Sequence, residues 1–196
     1  MKTKSHYENC RDCKDSVKNF LASIFGTTVV NSDIDLPSRL EKYTNTSVYK
    51  ELEKIYNKIC EYRGIKNFVK AKKLPRVDFF VPKKKIIIEY DESQHFTKPR
   101  EIALSHYPKS KNYGYSTRRW CELCSELNRK DNDPPYRDEQ RAWYDTLRDF
   151  APFIWGEGTT IRLYSRDLVW CSLDTAIEPD LRLFEETLLK NNEAQL

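Results

Sequence analysis

The chain has 196 residues, with 34 Lys or Arg against 30 Asp or Glu and a formal net charge of +4. Hydrophobic residues make up 39% and aromatic residues 13%, which excludes a disordered chain; five Gly and nine Pro exclude collagen-like and low-complexity classes. One domain, or one domain with a small appendage, suits this length, and a charge of +4 is too small to identify a nucleic-acid binder by itself.

No run of about 20 apolar residues occurs, so no membrane span is expected. Residues 1–13 are polar and lack the apolar core of a signal peptide, so a cytoplasmic location is expected. Six Cys in such a chain read as reduced thiols or metal ligands.

Within residues 14–25, Val17, Phe20, Leu21 and Ile24 recur at helical spacing and Gly26 suits a C-terminal stop. Residues 27–46 read as a connector carrying a short helix. From 47 to 62, Val48, Leu52, Ile55 and Ile59 form one apolar stripe, the pattern of an amphipathic helix ending at Gly64. Three strand-like runs follow, NFVKA, RVDFFV and IIIEYD. Residues 96–135 read as irregular apart from a helical piece at 120–127. A helix over 136–150, a strand TTIRLYS and a helix over 180–190 complete the chain. This order predicts a mixed α/β fold, a mixed sheet flanked by helices.

The hairpin formed by the second and third runs concentrates the chemistry. With Pro82–Lys85 as the turn, Val81 faces Ile86, Phe80 faces Ile87 and Asp78 falls opposite Glu89. Alternation then places Asp78, Glu89 and Asp91 on one face at one end, while Val77, Phe79, Val81, Ile86, Ile88 and Tyr90 form an apolar face. Like charges across a strand pair repel, and a hard divalent cation with oxygen ligands is the natural counter-charge. Asp78 and Glu89 are therefore candidate ligands for Mg²⁺ or Mn²⁺. The alternative is a set of solvated carboxylates paired with nearby lysines.

Nine Lys or Arg lie between positions 63 and 85, against one acid, Asp78. Lys70, Lys72, Lys73, Arg76, Lys83, Lys84 and Lys85 in this strip are candidate contacts to a polyphosphate backbone. A solvated, aggregation-resistant edge is the competing explanation. Cys10-x-x-Cys13 and Cys121-x-x-Cys124 have zinc-ligand spacing and together offer a four-thiolate Zn²⁺ site, although Cys124 also fits a helix core stripe with Trp120 and Leu127.

The run LPRVDFFVPKKKIIIEYDESQHF resembles the active-site hairpin of the PD-(D/E)XK nuclease superfamily. It is most similar to the branch of very-short-patch-repair-like endonucleases, whose second strand reads roughly IEVDGxQH. The resemblance implies a restriction-endonuclease-like core over residues 47–196, with 1–46 as an N-terminal helical extension. It implies Asp78 and Glu89 as metal ligands, and Gln94 and His95 as the Gln and His that follow the motif, with His95 as general base or leaving-group stabiliser. Asp91 stands where the superfamily usually has Lys, and Glu92-Ser93 replaces the more usual Gly. A carboxylate from the preceding helix is common, and Glu51, at the edge of that helix's apolar stripe, is the candidate. An Asp and an Arg on the later helix correspond to Asp138 and Arg141, though Asp145 and Arg148 repeat the same spacing. The implied activity is metal-dependent hydrolysis of nucleic acid, DNA in the first place, with a homodimer as an assembly to consider. The absent lysine keeps open a catalytically silent nucleic-acid-binding module.

Overall fold

A computed structural model of the chain describes residues 8 and 10–193. Residues 1–7, part of the stretch read for a signal peptide, lie outside them. The described residues form a mixed α/β fold: α1 (Arg11–Phe25), β1 (Val29–Ser32), α2 (Tyr49–Arg63), β2 (Val77–Val81), β3 (Ile86–Asp91), α3 (Lys98–Ser105), α4 (Thr117–Leu127), α5 (Arg137–Trp155), β4 (Thr159–Tyr164) and α6 (Glu178–Glu193). No described helix is long and apolar enough to cross a membrane.

The sheet runs β1-β2-β3-β4. Strands β1, β2 and β3 are antiparallel neighbours, and the hairpin pairs Phe79 with Ile88, Phe80 with Ile87 and Val81 with Ile86, the register expected from alternation. Strand β4 pairs parallel to β3, setting Glu89 beside Arg162 and Asp91 beside Tyr164. A parallel neighbour needs a crossover connection, and α3 to α5 supply it. Gly158 lets β4 begin against the hairpin turn, because a Cβ there would lie 2.2 Å from the Lys85 carbonyl oxygen.

Alternation along the strands divides the core. Phe79, Val81, Ile86, Ile88, Tyr90, Ile161 and Leu163 point to one face, where they pack with Val17, Phe20 and Leu21 of α1, Trp170, and Phe184 of α6. The other face carries Ile87 and is covered by α2, α3, α4 and α5, with Leu52, Ile55, Trp143, Leu147 and Phe150 buried there. Glu89 and Asp91 belong to this second face, where Glu89 meets Arg148 of α5 and Asp91 meets Trp120 of α4. Val77, expected on the α1 face, packs instead in the α2–α5 core, and Asp78 beside it lies at the strand end against Lys14 of α1.

Three expectations are corrected. The described part of the expected 1–46 extension is no appendage to a 47–196 domain: α1 covers one sheet face and β1 is a strand of the sheet itself. NFVKA is not a strand; residues 67–71 run as a loop with Phe68 and Val69 turned into the core. Residues 96–135 are less irregular than read, since Thr97 caps α3 by accepting the Arg100 N–H.

Candidate active site

Backbone pairing between β2 and β3 ends at Phe79 and Ile88. Beyond that pair each carboxylate accepts a main-chain N–H of the opposite strand. Tyr90 N–H donates to Asp78 Oδ2 at 2.9 Å, and Asp78 N–H donates to Glu89 Oε1 at 3.3 Å. Asp78 and Glu89 therefore face one another across the open end of the hairpin. Glu89 is 3% exposed. Burial first, and then Asp78, drive its pKa from an ordinary 4.5 up to about 8, against the opposing pull of Arg148 and Arg162.

Lys14 of α1 completes this end. Its ammonium lies 3.1 Å from Asp78 Oδ1 and 3.8 Å from Glu92 Oε1, above the Tyr90 ring at 5.5 Å. Burial works against the ammonium, but Asp78, Glu92 and Glu89 outweigh it and hold its pKa above the usual lysine value. A cleft of about 280 Å³, lined by Arg11, Lys14, Lys18 and Asp15 of α1, Val30 and Asn31 of β1, and Asp78 and Phe79, opens onto this corner. Spacing of i, i+3 and i+7 sets the three cations on one side of α1. The sequence reading missed Lys14. Its signal was present as a basic stripe flanking the apolar stripe of Val17 and Leu21, on a helix assigned to an extension.

Deeper in, an ionic lattice ties α5 to the sheet. Arg162 grips Asp91 with two hydrogen bonds of 2.8 and 2.9 Å, and its Nε donates to Asp149 at 2.8 Å. Trp120 Nε1 also donates to Asp91, at 2.7 Å. Asp149 further accepts from Arg100 at 2.6 Å and from the Tyr107 and Tyr115 hydroxyls, both at 2.7 Å. Burial raises the pKa values of Asp145 and Asp149, but Arg162 and its neighbours more than reverse this, and both fall below the ordinary value. Arg148 bonds Asp145 at 3.0 Å and the carbonyls of Pro75 and Arg76 at 3.2 and 3.1 Å. Its Nε lies 3.4 Å from Glu89 Oε1 but makes no hydrogen bond among the described residues.

The remaining expectations divide. His95 sits beside the lattice, with Nδ1 3.0 Å from Asp145 and 3.4 Å from Asp91. Burial disfavours its charged ring, yet Asp145 and Asp91 prevail and raise its pKa above 6.5. Gln94 donates to Glu92 at 2.8 Å and, through its carbonyl and amide oxygens, receives Arg141. Asp91 is on the expected face, but its oxygens are held by Arg162 and Trp120, which fits it for positioning rather than for ligating an ion. Arg141 is corrected: its guanidinium is spent on Gln94, Asp131 and Asp138. Of the two equally spaced pairs on α5, Asp145 and Arg148 are the one that meets the hairpin. Glu51 is corrected too, since its described ion pair is with Lys111, at 3.8 Å, and not with the hairpin carboxylates.

The basic strip does not act as one surface. Lys83, Lys84 and Lys85 occupy the hairpin turn, about 13 Å along the strand from Asp78. Lys85 there pairs with Glu157 at 2.6 Å, and Lys84 lies over Phe25 at 5.4 Å. Lys70, Lys72, Lys73 and Arg76 are exposed on the loop that enters β2 at the carboxylate end, with Arg76 paired to Asp33 at 3.3 Å. The four-cysteine zinc set is also corrected. Cys13 packs on the α1 face of the sheet and Cys124 in the core of the opposite face.

Comparison of the chain with family models, curated proteins and solved structures finds no match. What fold and site define on their own terms is a mixed α/β domain with a carboxylate pair at the open end of a buried hairpin. A cationic helix face stands beside that pair.

Proposed function

We propose that the protein is a metal-dependent endonuclease that hydrolyses phosphodiester bonds, with DNA as substrate, on a restriction-endonuclease-like core in the cytoplasm. The observation that carries this reading is the Asp78–Glu89 pair. Two carboxylates are held face to face by each other's strands, and burial, with Asp78 beside it, drives the inner one towards its protonated form against the pull of Arg148 and Arg162. Hard oxygen donors short of a counter-charge suit Mg²⁺ or Mn²⁺. Bound there, such an ion supplies charge neutralisation at a phosphate oxygen and acidity to a water.

The chain's own residues do the rest. Asp78 and Glu89 are fixed in orientation by main-chain N–H groups, which limits the reorganisation needed on binding. Lys14 lies where a cation can orient Asp78 and polarise an attacking water, the role that the resembling superfamily usually gives to the lysine replaced here by Asp91. Arg11 and Lys18 extend that charge along the cleft, and Lys70, Lys72 and Lys73 add exposed charge on the loop before β2. His95, oriented through Nδ1 by Asp145, which with Asp91 holds its pKa above the ordinary histidine value, is the candidate proton carrier.

One observation favours a second reading, a silent nucleic-acid-binding module. Lys14 and Arg148 already stand against the two carboxylates and neutralise them in part without an ion. Cleavage of plasmid and of single-stranded DNA with Mg²⁺ or Mn²⁺, wild type against Asp78→Ala, separates the two. Metal-dependent cutting that Asp78→Ala abolishes supports the nuclease; DNA binding with no cutting by the wild type supports the module.

A further inference from the structure

On the sheet face away from the carboxylates, the start of α1 meets a 3-10 turn, Trp170–Ser172. There the sulfur atoms of Cys10, Cys13 and Cys171 all lie within 4.8 Å of one another. Four ligands around zinc at about 2.3 Å place their sulfurs about 3.8 Å apart. A closure of about 1 Å or less thus brings all three onto one ion.

Three further features point the same way. Cys10 is the N-cap of α1, yet its side chain makes no capping bond. A helix start normally takes Ser, Thr, Asp or Asn, so a cysteine forgoes that stabilisation. Cys13 follows at the ligand spacing C-x-x-C, within the first helical turn; burial pushes its thiol up to about 12, so an ion has to displace that proton as it binds. The three residues also grade outward, Cys13 buried, Cys10 half-buried and Cys171 exposed, which leaves an approach from solvent on the Cys171 side. Tyr90 adds a hydroxyl contact to Cys13, an outer contact of the kind that orients a ligand.

We propose that Cys10, Cys13 and Cys171 form a thiolate site for a zinc-type divalent cation, its fourth position open to water. Each ligating thiol gives its proton to solvent as the ion enters. The ion fastens the start of α1 to the 170–172 turn and so steadies Lys14, the residue after Cys13, against Asp78. The first part of this proposal holds whether or not the protein is a nuclease.

Titration of the reduced, chelator-treated full chain with Co²⁺, followed by displacement with Zn²⁺, tests it. The expected result is one equivalent bound with sulfur-to-cobalt charge-transfer absorption in the near ultraviolet. Cys10→Ser and Cys171→Ser each weaken binding at least about tenfold, while Cys121→Ser leaves it unchanged. Serine is the better cap at position 10, so Cys10→Ser stays folded by circular dichroism while losing the ion. A chain with six reduced thiols and no charge-transfer band overturns the proposal. So does a band that survives both Cys10→Ser and Cys171→Ser, or a disulfide among the three cysteines.

Discussion

Glu89 and Asp91 sit two residues apart on one strand, share one sheet face and are equally buried, yet they live in opposite electrostatic conditions. Asp91 receives two hydrogen bonds from Arg162 and one from Trp120. Glu89 receives one long N–H bond, faces Asp78, and has its nearest guanidinium, Arg148, misaligned at 3.4 Å. Burial, reinforced by Asp78 and only partly offset by Arg148 and Arg162, accordingly raises its pKa to about 8. A buried charge is tolerated only when paired and hydrogen-bonded. The difference separates a carboxylate built to hold the fold together from one left under-compensated, where an added cation is worth most.

The contrast is broken most severely at Arg162. Arg162→Met strands Asp91 and Asp149 without their main partner and is expected to cost about 3–5 kcal/mol of stability in urea unfolding. Glu89→Gln does the reverse: at pH 7 it leaves unfolding stability unchanged or raised, while cleavage of plasmid DNA falls at least about a hundredfold, worth about 2.7 kcal/mol of barrier. Both effects at once, in one variant each, distinguish the two carboxylates.

The pH dependence sharpens the same point. Folding raises the pKa of Glu89 from 4.5 to about 8, so between these values the native state holds the proton that the unfolded state has released. Stability of the metal-free protein is therefore full below about pH 4.5 as far as this group goes, and is lost as pH rises through 8. The expected slope is at most about 1.4 kcal/mol per pH unit. His95, also raised, adds loss in the same direction above 6.5. Urea midpoints in chelator from pH 5 to 8.5 fall for wild type and flatten in Glu89→Gln. The smallest effect on stability belongs to Lys14→Met. The Lys14 side chain is 38% exposed, so its pairing with Asp78 is worth under about 1 kcal/mol; cleavage, by contrast, drops well below wild type while the fold stays intact.

Much of this was legible in the residues. Period-two alternation gave the hairpin register, because a one-residue slip would have sent Ile87 and Phe79 to the wrong sides; it failed at the open end, where Val77 turns into the α2–α5 core and Asp78 meets Lys14 of α1. What periodicity could not give was the third dimension. Whether Asp91 or Glu89 is free to bind depends on Arg162, paired in register only once β4 lies parallel to β3. The choice between Arg141 and Arg148 turns on which part of α5 crosses the hairpin, and spacing repeats at both. Lys14 and Cys171 come to their sites through the packing of α1 across the sheet, a contact between segments far apart in sequence. The strand VVNS at 29–32 escaped notice because a four-residue edge strand with exposed Val29 and Val30 carries little alternation.

The claim on which the rest hangs is that Asp78 and Glu89 hold a divalent cation. Crystals grown or soaked with Mn²⁺ and measured for anomalous scattering test it directly. The expected result is one manganese peak between the Asp78 and Glu89 carboxylates, absent in crystals of Glu89→Gln. A fully diffracting crystal in saturating Mn²⁺ with no peak there, and Lys14 still seated on Asp78, would contradict it.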